Sequence, residues 1–128
     1  MSQLNIIRVL VVDDDDLLRL KMAALFEGFA DLKLVGEAAD GQEAVDVCAR
    51  LQPDVILMDL NMPIMDGVSA TRIICQKYPQ IYVIIFTISS GLKQIIEAFQ
   101  AGARGYVRKN NSIAEIALAI RAIVTKGK

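Results

Sequence analysis

The feature that most constrains this chain is a rhythm. Five short apolar runs, rich in β-branched residues, return roughly every 21 to 27 residues, at 7–12, 33–37, 54–58, 81–86 and 104–107. The first, third and fourth are nearly continuous in apolar character. Strands covered on both faces look like that, as in a parallel sheet sandwiched by helices. The second and fifth are shorter and more polar, which suits sheet edges. Between the runs lie stretches with apolar residues at three- and four-residue steps, predicting helices over 15–29, 41–51, 65–78, 91–101 and 112–124. Ser112 with Glu115 three residues on is a capping-box signature for the last of them. Strand–helix alternation of this kind predicts a doubly wound α/β fold.

Composition narrows the function. The 128 residues fit one domain, expected to span 1–128, with 1–5 as a flexible N-terminus and 125–128 as a terminus or the start of a linker. Hydrophobic residues at 54% against 23% charged exclude intrinsic disorder. Fourteen basic against fifteen acidic residues leave no basic footprint for nucleic acid, so no direct nucleic-acid binding is expected. The absence of His excludes imidazole general bases and His-bearing zinc sites. Cys48 and Cys75 fall inside helix-like stretches with no CxxC spacing and read as free thiols of a cytoplasmic protein. No run approaches the ~18 apolar residues of a membrane span, and the first residues carry no signal-peptide pattern.

In an open parallel sheet, ligands bind beyond the carboxyl ends of the strands. The first run ends in Asp13-Asp14-Asp15-Asp16, the third in Asp59, the fourth in Thr87-Ile88-Ser89-Ser90, and the fifth is followed by Arg108-Lys109. Asp15 and Asp16 read best as helix-capping charge. Asp13 and Asp14 abut a buried strand end. If the first and third strands are neighbours, Asp59 joins them at strand spacing, and carboxylates so close call for a hard divalent cation such as Mg2+. Lys109 and Thr87 would flank an anion bound beside Asp59. That grouping suits phosphoryl transfer, with a carboxylate as nucleophile and no general base required.

These residues carry a resemblance. Residues 8–14, 54–63, Asp66-Gly67, Thr87 and 102–109 resemble the receiver domain of bacterial two-component response regulators. The likeness runs over roughly 7–124 and is greatest to receivers of the NarL/FixJ type. It implies a flavodoxin-like, five-stranded parallel sheet in the order 2-1-3-4-5 with five helices in three α/β/α layers. It implies a signalling switch rather than a turnover enzyme, with slow autodephosphorylation. Asp59 would accept a phosphoryl group from a sensor histidine kinase or phosphotransfer protein. Asp13, Asp14, Asp59 and the backbone carbonyl of Asn61 would hold Mg2+, with Mn2+ as a substitute. Thr87 would hydrogen-bond the phosphoryl group, Lys109 would pair with it, and Tyr106 would switch with Thr87. Pro63 and Gly67 would shape the loop after Asp59, and Asn61 and Ser89 occupy positions that tune autodephosphorylation. The output would be a partner, dimerisation or a DNA-binding domain.

Two departures from the pattern stand out. Ile88 is bulky where relatives carry a small residue, and is expected to slow phosphoryl entry or hydrolysis. Asp15 replaces a histidine or other residue and adds negative charge near the metal. A spare apolar line on the last helix (Ala114, Leu118, Ala122), with Leu17, Leu20 and Met22 on the first, predicts a homodimer through these helices or through the last strand–helix face. Three other classes compete: an aspartate-nucleophile phosphohydrolase, for which the chain lacks a cap domain; a flavin carrier, whose phosphate loop would not be aspartate-rich; and a receiver that signals without phosphate.

Overall fold

The computed structural model describes residues 5–88 and 91–126. Residues 1–4 of the expected tail 1–5, residues 127–128 of the expected end 125–128, and Ser89 and Ser90 lie outside the described residues; residues 125 and 126, expected as terminus or linker, belong to the last helix, which runs to Lys126. Five strands and five helices alternate: β1 (Ile7–Val12), α1 (Asp16–Phe26), β2 (Leu32–Ala38), α2 (Gly41–Leu51), β3 (Val55–Met58), α3 (Gly67–Lys77), β4 (Tyr82–Thr87), α4 (Leu92–Ala101), β5 (Gly105–Arg108) and α5 (Ile113–Lys126). The strands form one parallel sheet in the order β2-β1-β3-β4-β5. The polar runs therefore do form the edges, and the apolar ones the centre.

The sheet separates two cores, as alternation of side chains along each strand requires. Leu10, Val12, Ile56, Met58, Val83 and Ile85 point to one face, where α2, α3 and α4 supply Ala44, Cys48, Ala70, Ile74 and Ala98. Val9, Val11, Val55, Leu57, Ile84 and Phe86 point to the other, where α1 and α5 supply Met22, Phe26, Ile116 and Ile120. Cys48 is buried and Cys75 half-buried, and both are free thiols. Burial pushes the Cys48 thiol up to about 11, so it is inert at neutral pH. Among the described residues no helix is long and apolar enough to cross a membrane.

Local signals explain the helix ends. Asp40 and Asp66 accept backbone N–H bonds from Glu43 and Ser69 at 2.8 Å each, capping α2 and α3. Ser112 and Glu115 form the reciprocal capping box, with bonds of 2.9 and 3.1 Å. α1 stops at Phe26, three residues before the expected end, where a turn carries Gly28. Its inner face runs through Met22 and Phe26, so Met22 belongs to the core and not to the spare face expected of it. Ile73 and Phe99 also fit the apolar helical spacing of α3 and α4, but both are exposed.

Candidate functional site

Asp13, Asp59 and Lys109 are each the residue just beyond a strand, and each is fixed by its own backbone. The N–H of Asp13 donates to Ala38 O on β2 at 3.0 Å, and that of Asp59 to Val12 O on β1 at 3.0 Å. The N–H of Lys109 donates to Thr87 O on β4 at 2.9 Å. The sheet register thus carries all of these residues to one edge.

There the sequence-expected acids do meet. One carboxylate oxygen from each of Asp13, Asp14 and Asp59 lies within 4.8 Å of the others. Asp13 and Asp59 are buried and Asp14 is exposed. Lys109 Nζ stands 2.5 Å from Asp13 Oδ2 and 3.3 Å from Asp59 Oδ2. Beyond that ion pair, Asp13 Oδ2 is buried without a directed hydrogen bond. Burial, and then the charge of Asp13, hold the Asp59 carboxyl above the usual carboxylate range, against the pull of Lys109 and of the Asn61 N–H. Burial also works against the Lys109 ammonium, but its contacts with Asp13 and Asp59 outweigh this and raise its pKa. Three hard oxygen donors within 4.8 Å of one another, two of them from buried residues, fit a small divalent cation.

The remaining candidates fall as follows. Thr87 is buried at the end of β4, beside Arg108 of β5. Asn61 is exposed at the rim, and its backbone N–H draws the Asp59 pKa down. Tyr106 is 37% exposed on β5 and faces outward. Gly67 sits under the site: a Cβ there would come within 2.0 Å of the Asp59 carbonyl oxygen, so only glycine allows the backbones to approach this closely. Between them, Pro63 O accepts from Met65 N at 2.7 Å around Ile64, whose φ is +69°.

The two departures from the family pattern acquire definite places. Asp15 is the N-cap of α1, accepting from Leu17 and Leu18, while its own N–H donates to Asp13 Oδ1 at 2.9 Å. Its added charge therefore faces a helix N-terminus. Asp16 opens α1 and pairs with Arg19. Ile88 is 69% exposed, so it lines the rim, with Leu18 and Lys109, instead of filling the site.

Two residues at the site carried no usable signal in the sequence. Arg19 donates to the Asp13 carbonyl and pairs with Asp16 and, at 3.2 Å, with Glu37. Gln94, on α4, donates from Nε2 to Asn61 Oδ1 at 3.0 Å. Arg19 lies a helical turn after the aspartates and looks like a solvated ion pair. Gln94 lies 33 residues from its partner, beyond the reach of any local pattern.

A central parallel sheet of this order, with an acid cluster and a lysine at its carboxyl edge, defines a flavodoxin-like α/β module with a charged site at the strand ends. Comparison with known proteins makes the assignment specific. Residues 9–121 match the response regulator receiver domain family, and the chain belongs to that family. It is 43% identical over 122 residues to the transcriptional regulatory protein LiaR of Bacillus subtilis (strain 168), covering 95% of this chain and 57% of LiaR. It is 38% identical over 109 residues to a protein-glutamate methylesterase/protein-glutamine glutaminase of Methanosarcina mazei, covering 84% of this chain and 30% of that protein. The crystal structure of a LuxR-family two-component response regulator from Aurantimonas sp. SI85-9A1 superposes with a TM-score of 0.87 at 37% identity, covering 94% of this chain and 86% of the other. The chain therefore spans about half or less of the curated relatives described.

Proposed function

We propose that this receiver domain takes a phosphoryl group on Asp59 from the histidine of a sensor kinase or phosphotransfer protein. The observation that carries this reading is the convergence of the three carboxylates within 4.8 Å, with Lys109 Nζ 3.3 Å from Asp59. An oxygen of Asp59 attacks phosphorus, the P–N bond to the donor histidine breaks, and an aspartyl phosphate forms. Asp13, Asp14, Asp59 and the Asn61 carbonyl would hold Mg2+, which when bound neutralises the acids and the phosphoryl oxygens. Lys109 supplies a fixed positive charge beside the incoming group. Thr87, buried at the strand end, would donate its hydroxyl to a phosphoryl oxygen, and Tyr106 would move inward with it.

The output is a partner surface. Leu17 and Leu20 on α1 and Leu118 on α5 are exposed, with Ala114 and Ala122 beside Leu118. A homodimer across these helices fits that apolar strip better than a monomer does. Relatives join the same module to a transcription regulator and to a methylesterase. Control of a DNA-binding output is the reading favoured by the similarity to LiaR.

The test is intact-mass spectrometry after incubation with acetyl phosphate and Mg2+. Wild type is expected to gain one phosphoryl group, with none on Asp59→Asn and none in the presence of a chelator. A phosphoryl group retained on Asp59→Asn would overturn the assignment. Ile88→Ala is expected to load faster than wild type. Equal rates would remove Ile88 from the account.

A further inference from the structure

We propose that Gln94 is a positioning residue that prolongs the life of the phosphoryl group by holding the Asn61 side chain closed over the site. The inference rests on the reading of Asp59 as acceptor. It starts from the 3.0 Å hydrogen bond by which Gln94 Nε2 donates to Asn61 Oδ1. Asn61 lies two residues after Asp59, so its backbone starts at the site. Its side chain is bound from above, by the first turn of α4. Gln94 is half-buried and Asn61 exposed, so the bond spans the rim of the site.

Hydrolysis of the aspartyl phosphate requires water at this rim. The water oxygen attacks phosphorus and the bond from phosphorus to the Asp59 oxygen breaks. The products are the free carboxylate and dihydrogen phosphate, which keeps both water protons. An attacking water is oriented by an acceptor for one of its protons. Asn61 Oδ1 is the neutral acceptor rooted next to Asp59, and Gln94 occupies it. The same bridge ties the loop after Asp59 to α4 and narrows the path of approach. Both effects slow hydrolysis, so the sign of the prediction is fixed. Phosphoryl uptake is not expected to change, because neither side-chain amide touches Lys109 or the acid cluster in the bonds described.

The experiment follows the half-life of the phosphorylated full chain after donor removal, by intact mass, for wild type, Gln94→Leu, Gln94→Ala, Asn61→Ala and Asn61→Ala/Gln94→Leu. Gln94→Leu keeps the side chain's bulk without its donor, and Gln94→Ala removes both. Each is expected to shorten the half-life by about three- to tenfold, the scale of one hydrogen bond, with loading rate and melting temperature unchanged. In the Asn61→Ala background, Gln94→Leu is expected to have no further effect. A wild type that takes up no phosphoryl group would overturn the acceptor reading and this inference together. A phosphorylated wild type whose half-life Gln94→Leu leaves unaltered would overturn this inference alone, as would an effect that persists without the Asn61 side chain.

Discussion

Replacing Lys109 by methionine keeps the stem and removes the ammonium that now faces two buried acids. Its contacts at 2.5 and 3.3 Å would each be worth roughly 5–7 kcal/mol at an effective dielectric of about 20. Most of that offsets the cost of burying the charges. The quantity a denaturation experiment reads is the cost of leaving the partner charges behind, about 3–5 kcal/mol for a buried pair. Because Asp14 at the same site is exposed, the lower end applies, and we expect Lys109→Met to lose about 3 kcal/mol in chelator. With a urea slope near 2 kcal/mol/M the midpoint falls by about 1.5 M. Mg2+ should restore the loss. A cation that binds only the native state adds about 2.7 kcal/mol at a hundredfold excess over its Kd, and the variant, lacking the competing ammonium, should bind it more tightly than wild type. Urea titrations with and without Mg2+ on both proteins decide the matter. A loss below about 1 kcal/mol in chelator, or an equal gain from Mg2+ in both proteins, would refute the reasoning.

Other expectations are simpler. Ile64 is 84% exposed at φ +69°, so Ile64→Gly gives up no packing and relieves left-handed strain; thermal denaturation should show a gain of about 1 kcal/mol. Gly67→Ala sets a Cβ 2.0 Å from the Asp59 carbonyl oxygen, and we expect a loss of at least about 3 kcal/mol with the phosphoryl-accepting geometry spoiled; an unchanged melting temperature would contradict the close approach. The Glu115 carboxyl is held below its usual range, first by the Ser112 N–H. Its capping contribution is therefore present above the unfolded pKa and disappears as pH falls through the folded value. Glu115→Gln should flatten that part of an acid-unfolding curve, and an unchanged curve would remove the capping box from the account.

The fold was legible because its period is local. A continuous apolar run implies burial on both faces wherever it occurs, so β1, β3 and β4 announced themselves as central, and the polar β2 and β5 as edges. Asp13, Asp59 and Lys109 were legible for a related reason: each directly follows a strand, so topology alone brings them together. Helix phase was less secure. Leu25 and Phe26 are neighbours with equal claims to an inner position, and only packing against the sheet gives it to Phe26. Ile73 and Ile74 are neighbours of the same kind, and packing buries only Ile74. Arg19 and Gln94 were hidden for a different reason. A long polar side chain on a helix reads as solvated, and whether it bends back to a carbonyl or to an asparagine depends on where another element ends.

The same construction bears on how a change at Asp59 could leave the site. Asp13, Asp59 and Lys109 hang from neighbouring strands by backbone hydrogen bonds of 2.9–3.0 Å, inside a sheet packed on both faces. Those strands have little freedom to move relative to one another. The parts free to respond lie at the periphery. Thr87 ends β4 and pairs with Arg108; Tyr106, two residues earlier on β5, pairs with Ile85 and is exposed. Among the described residues, a polar bond between exposed or half-buried groups ties the loop after Asp59 to α4. A phosphoryl group that engaged Thr87 and pressed on the Asn61–Gln94 bridge would act on β5 and α4 while leaving β1 and β3 in place. Signalling by this domain is then expected as a local rearrangement of one edge. Hydrogen exchange with and without acetyl phosphate and Mg2+ should change most in α4 and β5 and least in β1 and β3. Equal change across all four would mean that the sheet itself is the moving part.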